Sequence, residues 1–384
     1  MQSSLLLTKT NNTKIPSHII NKYPILMPLI CLISGIFWQN KLPINQCLLI
    51  ITILSLFALL IKKIYQRELI CLLCFFSGAF LLQNHQNNYA LLLNKLNNKK
   101  IDIIATIENK EHIPNNQYSE IIKLKISKIK TPNDISYLPI NFNILCYLKN
   151  STNIEIDDKI EIKSICFKKP SINKKTLTNN PNFQTYLLKE NILTTIFLQK
   201  LIYKKIYSPN FSFNKWIWAK KQELFNHLKI KLQADTFSFF SLIFLGNKSE
   251  KNLSLKKQFN NWGISHYLAR SGLHIMLFIL IWKFLFCLIP LAIQIKQIIL
   301  ISICTSYQFL SWTSISFVRA FYVFIFYEIG KLINQQTNLL HILNIICFYI
   351  LLINPTQLFF IDFQLSFALT YALIFFNQFA KNKI

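Results

Sequence analysis

Glycine, proline and arginine are scarce in this sequence. Only six of the 384 residues are glycine and twelve are proline, which excludes collagen-like, glycine-rich and proline-rich disordered chains. Only Arg67, Arg270 and Arg319 are arginine; because lysine lacks the planar fork of a guanidinium, each is a candidate for a specific role. Acidic residues number 16 against 42 basic ones, for a formal net charge of +26, yet 52% of the residues are hydrophobic, which excludes a disordered basic tail. The basic excess fits nucleic-acid binding, lysines that flank membrane spans, or codon usage rich in A and T.

Long uncharged apolar runs indicate membrane helices near the N-terminus. Three such runs lie at 24–38, 47–61 and 69–82. Each is short for a span of roughly 20 residues, but neutral flanks extend it. Three helices without a polar face favour membrane spans over buried helices of a soluble core. Lysines in residues 1–23 and in the second loop place the tail in the cytoplasm, so that three spans over 24–85 lead out of it.

Residues 95–205 alternate apolar and polar side chains, as half-buried strands do. Five short strands are predicted, at 101–105, 121–129, 140–148, 154–165 and 192–198. Short strands in a segment of this length indicate a small OB-like barrel, although the lack of glycine is unusual for a tight one. Cys146 and Cys166 are the only cysteines here, and outside the cytoplasm they are candidates for a disulfide between neighbouring strands. The fold predicted is a polytopic α-helical membrane protein with an inserted extracytoplasmic small β-barrel domain.

An amphipathic segment and a second apolar region follow the predicted barrel. Residues 212–233 combine Trp216 and Trp218 with several lysines, which is typical of a helix at the membrane interface. A surface helix packed on the barrel is the alternative. Residues 236–384 consist mainly of apolar runs, of which the first, 237–245, is too short to span and is predicted to be re-entrant.

Polar residues within this apolar region are candidates for function, because such groups are costly in a bilayer. The densest cluster runs from His266 to His274 and includes Arg270. We expect Ser271 and Gly272 to break the helix, which leaves backbone groups to line a polar pathway. Two histidines without a third ligand are a weak metal signal, and a Ser271–His274 nucleophile lacks an evident third group. Small-residue helix packing is the remaining alternative.

Further polar residues lie in the later apolar runs. Arg319 begins a run that contains Glu328, and Asp362, Gln364 and Ser366 begin the last run. We expect Arg319 to pair with Asp362 or Glu328; alternatively, each of these side chains snorkels at an interface.

The order of several short motifs resembles that of a known family. His266-Tyr-Leu-Ala-Arg-Ser-Gly-Leu-His274 resembles the His-Leu-Leu-Ala-x-Ser-Gly-Leu-His signature of the ComEC-type competence family, the membrane channels of bacterial DNA uptake. Ser316-Phe-Val-Arg319-Ala320, Asn354-Pro355 and Phe363-Gln-Leu-Ser-Phe367 resemble the Arg-Ala, Asn-Pro and Phe-Gln-Leu-Ser-Phe elements of that family. Upstream, Asn180-Pro181-x-Phe183-x-x-Tyr186-Leu187 resembles the stretch that closes the family's OB-like domain.

The sequence departs from the family pattern at several points. Arg270 stands where the family usually has an apolar residue, and Asp362 replaces a usual glycine. The family's further spans and the metallo-β-lactamase-like domain of many members have no counterpart here, so a truncated, split or decaying member is expected. The segment 236–384 is accordingly expected to form the first part of the channel's transmembrane domain.

The resemblance implies a multi-pass component of a bacterial inner-membrane channel that translocates single-stranded DNA into the cytoplasm. Its partners would be single-stranded DNA, membrane lipid and either other competence proteins or a separately encoded remainder of the channel. His266, Ser271, Gly272 and His274 would shape a polar break, and Arg319 would offer its charge to phosphates. The alternatives are an intramembrane metal-dependent hydrolase that uses His266, His274 and Asp362, or a remnant without transport. No catalytic constellation is evident, and neither a cofactor nor a metal is expected.

The basic outer domain is the part that the resemblance implies to meet DNA first. Residues 95–235 contain 24 lysines and 12 acidic residues, an excess of 12 positive charges. Such a domain is suited to follow a phosphate backbone. The strand lysines proposed for this role are Lys123, Lys125, Lys128 and Lys130. Three aromatic residues, Tyr137, Phe142 and Tyr147, either stack on bases or belong to the core.

Overall fold

The computed structural model describes residues 24–38, 44–60, 66–112, 118–132, 136–167, 183–245, 259–263, 272–311, 315–335 and 337–381. In these residues, helices precede and follow one sheet of six strands along the chain. The described part of the chain is thus mostly helical with a β domain in its middle, in the order that the apolar runs and the alternating segments predict.

Three helices precede the sheet: α1 (Leu26–Trp38), α2 (Ile44–Leu60) and α3 (Gln66–Leu96). Glycines allow α1 and α3 to pack with their backbones in contact. A Cβ atom added to Gly35 would lie 1.8 Å from the carbonyl oxygen of Phe75, and one added to Gly78 would lie 2.4 Å from that of Leu32. Close contact through small residues is typical of helix pairs in membranes.

The six strands are β1 (Lys100–His112), β2 (Glu120–Lys130), β3 (Leu138–Leu148), β4 (Lys159–Cys166), β5 (Ile192–Leu198) and β6 (Lys204–Tyr207). They pair in the order β5-β3-β2-β1-β4-β6, and only the β3–β5 pair is parallel. On β2, Ile122, Leu124 and Ile126 are buried whereas Lys125 is exposed. This alternation places one row of apolar side chains in the core and the other row on the outer face.

The sheet differs from the predicted barrel in three respects. No pairing among the described residues closes it, because β5 and β6 lie at its two ends. β4 begins only at Lys159, because Asp157 adopts a left-handed conformation (φ 63°) and the Asp158 carboxylate accepts the Glu155 N–H at 2.9 Å. β6 was not expected, since all four of its residues are exposed and carry no apolar alternation.

The structure contradicts the predicted disulfide. Cys146 lies on β3 and Cys166 on β4, and β2 and β1 separate these two strands in the sheet. The Cys146 side chain is buried in the core, whereas Cys166 is exposed, and both thiols are free. Burial raises the pKa of the Cys146 thiol to about 12, so it remains a protonated, unreactive thiol at neutral pH.

Two helices connect the sheet to the rest of the molecule: α4 (Phe183–Lys189) and α5 (Phe213–Lys231). α5 is the amphipathic helix predicted at 212–233, and the Ser212 side chain caps it by accepting the Lys215 N–H. Trp218 packs against the sheet core, and its indole N–H donates to the Lys110 carbonyl at 3.1 Å. Trp216, by contrast, is half exposed.

The C-terminal region is helical. It contains α6 (Ala234–Phe240) with a following π-helical turn (Ser241–Leu245), α7 (Gly272–Cys287), α8 (Ile293–Leu310), α9 (Ile315–Leu332), α10 (Leu339–Ile353), a 3-10 turn (Pro355–Phe359) and α11 (Ile361–Lys381). By length and composition alone, two helices of the described residues could cross a membrane, Arg67–Leu96 within α3 and α8. Shorter apolar helices, including α1, α7 and α10, accompany them.

Candidate functional site

The first residue of α7 packs directly against α9. A Cβ atom on Gly272 would lie 3.0 Å from the Ala320 Cβ and 3.5 Å from a terminal nitrogen of Arg319. The Gly272 backbone therefore lies on the Arg-Ala element, and a larger residue at position 272 would have to displace the Ala320 side chain. Glycine is needed here for close approach, which agrees with the packing alternative for this motif.

Arg319 is nearly completely buried at this contact, with 8% of its surface exposed. Its guanidinium carbon lies 5.5 Å from the centre of the Phe367 ring on α11. Its Nη1 has no hydrogen-bond partner among the described residues. A buried guanidinium has five N–H donors and no acceptor, so an unsatisfied N–H there is costly unless an acceptor reaches it.

A hydroxyl pair joins α9 to α11 beside this guanidinium. The Ser366 hydroxyl donates to the Ser316 hydroxyl at 3.1 Å. Ser316 belongs to the Arg-Ala element, and Ser366 to the Phe-Gln-Leu-Ser-Phe element. Three motifs that are far apart in sequence thus converge on one place, which we call the Arg319 junction: Gly272, Ser316, Arg319, Ser366 and Phe367.

The other residues of the predicted cluster have different positions. His266, Arg270 and Ser271 lie outside the described residues. His274 is half-buried on α7, just after the junction. Gln364 does not point into the junction; its amide donates to the Leu358 carbonyl at 2.8 Å and so fastens α11 to the preceding 3-10 turn.

The two partners expected for Arg319 are both engaged elsewhere. The Asp362 carboxylate lies 3.0 Å from the Lys189 ammonium, and the Glu328 carboxylate lies 2.6 Å from that of Lys283. The expected pairing of Arg319 with Asp362 or Glu328 is therefore wrong. The reason is position along the chain: Glu328 is more than two turns from Arg319 on α9, so it faces α7 and α8 at another level.

Glu328 is the centre of a buried polar contact whose partners were not evident from the sequence. It is 1% exposed, and besides Lys283 of α7 it accepts a hydrogen bond from the Gln297 amide of α8 at 3.3 Å. One carboxylate thereby joins three helices. Since Lys283 lies in an apolar run 45 residues earlier, only the rarity of both charges in such runs could have indicated the pair.

A second polar contact lies farther along α11. Asn344 of α10 is fully buried, and its side-chain oxygen accepts the Tyr371 hydroxyl at 2.6 Å. Its side-chain nitrogen has no partner among the described residues. The α9–α10–α11 group therefore contains buried nitrogens without a partner among the described residues, including the donors on Arg319 and Asn344.

The lysines proposed to meet DNA lie on the outer side of β2. Lys125 and Lys128 are exposed, and Lys130 is half-buried. Lys123 is engaged with the Glu108 carboxylate at 2.9 Å. The structure thus leaves Lys125 and Lys128 as the more accessible charges of the four.

Aromatic side chains form a cluster on the outer face of β3 and β5. Tyr147 stacks on Phe197 with ring centres 5.0 Å apart, and Tyr118 lies against both rings. Phe197 is 58% exposed. Burial, together with the nearby Glu111 carboxylate, raises the pKa of the Tyr147 phenol. Phe197 and Tyr118 were missed in the sequence, although Phe197 alternates with buried Ile196.

The other two aromatic candidates have structural roles. Phe142 is buried and contacts the Phe167 ring edge-on. The Tyr137 hydroxyl donates to the Glu161 carboxylate at 2.8 Å, and burial together with this bond raises the pKa of Tyr137 to about 12.

The metal-hydrolase alternative finds no assembled ligand set in the part of the chain that the structure describes. No group of three or more His, Cys, Asp or Glu side chains there is close enough to hold a metal ion. Asp362, one of the three proposed ligands, is held by Lys189.

The apolar helices α7 to α11, packed around buried polar side chains, define a helical domain of the membrane-associated class. A family model described as Competence protein matches residues 243–384, which include these helices. These residues therefore match the competence protein family, which confirms the resemblance to the ComEC-type family. The family is involved in DNA uptake and is associated with membranes, and its description names no catalytic activity. No curated protein and no solved structure matches the chain.

Proposed function

We propose that this chain is part of a bacterial inner-membrane channel that passes single-stranded DNA into the cytoplasm. The observation that carries this proposal is the Arg319 junction, where a buried guanidinium retains an unused N–H donor. A phosphodiester is an acceptor-only anion, so it matches that donor in both charge and hydrogen-bonding capacity. Asn344 offers a second unused donor within the same group of helices.

The arrangement favours a pathway over a catalytic centre. The junction combines a cation, two hydroxyls and an aromatic ring, and it brings together no nucleophile, base and orienting group of the kind that covalent catalysis needs. Such groups bind and guide a charged polymer without changing it. The companion parts of the proposal are a multi-pass topology with the N-terminus in the cytoplasm, an OB-like β domain outside, and further competence proteins as partners.

The β domain would meet the strand before the channel does. Lys125 and Lys128 supply accessible charge on β2, and the stacked Tyr147 and Phe197 rings supply flat apolar surfaces. Proteins that bind single strands without sequence preference combine these two features.

DNA entry into cells that depend on this chain tests the proposal at Arg319. We expect Arg319→Gln to lower the entry of labelled DNA by roughly ten-fold or more, the effect of losing one hydrogen bond to a charged group. Arg319→Lys keeps the positive charge but not the planar fork of donors, so DNA entry in this variant should lie between that of the wild type and that of Arg319→Gln. Lys331→Gln is the matched control, because Lys331 is an exposed cation on the same helix.

Chain abundance and thermal stability are measured alongside in each variant, so that a folding defect is not mistaken for a transport defect. Wild-type DNA entry in a stably folded Arg319→Gln variant would contradict the proposed role of the junction.

A further inference from the structure

A large groove lies between the amphipathic helix α5 and the apolar helix α8. Its volume is about 760 Å³, within the range of small-molecule sites. Phe213, Trp216 and Leu224 of α5 form one wall, and Phe309 and Leu310 of α8 form the other. It is separate from the Arg319 junction, none of whose residues lines it.

Aromatic contacts join the two walls of this groove at one end. The Phe213 ring meets the Phe309 ring edge-on at 5.8 Å and stacks on the Trp216 ring at 6.1 Å. These rings bring the two helices together at one end. Trp216 is half exposed and faces the groove, whereas Trp218 faces the sheet through its bond to Lys110. The two tryptophans of α5 therefore have different surroundings.

One side of the groove is polar. Lys220, Glu223 and His227 of α5 lie there, opposite the hydroxyls of Thr305 and Ser306 on α8. Both hydroxyls donate to carbonyls of their own helix, at 2.7 and 2.9 Å, so that side offers few free donors apart from Lys220 and His227. The Lys220–Glu223 ion pair is exposed, and pairs of that kind exchange readily for another anion.

The charge of α5 indicates what the groove binds. This helix carries five lysines (Lys215, Lys220, Lys221, Lys229 and Lys231) against one acidic residue, Glu223, and none of its residues is buried. α8, the opposite wall, is one of the two helices that could cross a membrane. An apolar cleft at a membrane helix with a cationic rim is complementary to a molecule with apolar chains and an anionic head.

We propose that the groove between α5 and α8 binds an anionic phospholipid of the surrounding bilayer. Its acyl chains lie along Trp216, Phe309 and Leu310, and its phosphate takes the Lys220 end in exchange for Glu223. The lipid fills a space that protein side chains leave open, and it fixes α5, and with it the β domain that Trp218 contacts, against the helical domain. This site does not depend on DNA transport.

Quenching of tryptophan emission by brominated phospholipids tests the proposal on the full chain in lipid nanodiscs. We expect brominated phosphatidylglycerol to quench Trp216 at about five-fold lower content than brominated phosphatidylcholine with the same chains, the preference that one lysine gives at a membrane surface. Trp216→Phe reports the share of the signal that belongs to Trp216, and Trp218, which faces the sheet, should show no such preference.

Two variants separate the groove from general contact with the bilayer. Ser306→Leu places a branched apolar side chain in the cavity and should reduce quenching of Trp216 by both lipids. Lys220→Gln should abolish the preference for the anionic lipid, whereas Lys229→Gln, on the same helix but outside the groove, should keep it. Equal quenching by the two lipids, or quenching that Ser306→Leu leaves unchanged, would overturn the proposal. Absence of any quenching of Trp216 would also overturn it and would indicate a protein segment in the groove.

Discussion

The Lys189 ammonium lies 3.0 Å from the Asp362 carboxylate, although 173 residues separate them in the chain. Lys189 ends α4 of the β domain, is buried, and also lies over the Phe360 ring at 4.3 Å. Its carbonyl accepts the Asn354 amide at 2.6 Å. The end of α4 thus meets the Asn-Pro element and the start of α11, and fixes the β domain to the helical domain.

We therefore expect Asp362→Ala to destabilise the protein by roughly 1–3 kcal/mol, because it leaves a buried ammonium without its anion. The double variant Lys189→Met/Asp362→Ala should recover much of this loss, since it removes the unpaired charge. Thermal unfolding of the purified full chain measures both. The exposed Lys220–Glu223 pair provides the control, and Glu223→Ala should leave the unfolding temperature nearly unchanged. A single variant as stable as the wild type would show that the pair does not hold the two parts together.

The contact between α1 and α3 leads to a prediction about Gly35. Gly35→Ala would place a methyl group against the Phe75 carbonyl oxygen, so the helices must separate, at a cost of roughly 1–3 kcal/mol. Cys31 of α1 lies within hydrogen-bonding reach of Cys71 of α3. We expect oxidative cross-linking of Cys31 to Cys71, read by peptide mapping, to fall in Gly35→Ala. The control Ser34→Ala changes the neighbouring, exposed side chain and should leave the yield of cross-linking unchanged. An equal yield in Gly35→Ala and Ser34→Ala would contradict the packing argument.

Elements with a strong local period were predictable from the sequence, and contacts between distant elements were not. The core of the sheet was evident because Ile122, Leu124 and Ile126 alternate with polar residues and are all buried. The bounds of α5 followed in the same way from its tryptophans and lysines. The pairing of Lys189 with Asp362 left no such trace, because each residue is a single charge whose partner depends on how two domains pack.

The candidate site divides along the same line. Gly272, Arg319 and Ser366 were singled out from motifs, but only the packing of α7, α9 and α11 brings them together. Arg319 was expected to have an acidic partner, since buried charges usually have one. The packing instead pairs Asp362 with Lys189 and Glu328 with Lys283, and Nη1 of the guanidinium has no partner among the described residues.

The buried Asp158 carboxylate leads to a prediction about acid stability. Burial raises its pKa, but hydrogen bonds from Lys205 at 2.7 Å and Ser208 at 2.5 Å, and from the Glu155 N–H, outweigh burial and lower it below its usual value. A lowered folded-state pKa gives stability that is fully present above about pH 4 and is lost as the pH falls through the lowered value.

Asp158→Asn should therefore destabilise the protein by roughly 1–3 kcal/mol near neutral pH and flatten the loss of stability below about pH 4. Unfolding followed by tryptophan emission between about pH 3 and pH 7 checks this. Asp235→Asn, at an exposed carboxylate, is the control and should show the same loss of stability at low pH as the wild type. If stability fell as steeply at low pH in Asp158→Asn as in the wild type, the acid sensitivity would not come from Asp158.

Charge and stacking on the β domain should separate in a DNA-binding titration of the purified full chain. Lys125→Gln and Lys128→Gln should each lower the slope of log affinity against log salt for a single-stranded oligonucleotide by about 0.7, the counterion release of one phosphate contact. Tyr147→Ala should instead weaken binding by roughly 1–3 kcal/mol at every salt concentration and leave the slope unchanged, because stacking releases no counterions. Phe211→Ala removes an aromatic ring that is 75% exposed outside the cluster, and it should change neither the affinity nor the slope.

If the lysine variants kept the wild-type slope, the outer side of β2 would not be the surface that contacts phosphates. If Tyr147→Ala and Phe211→Ala weakened binding equally, the Tyr147–Phe197 stack would have no special role, and the DNA would have to be held by charge alone.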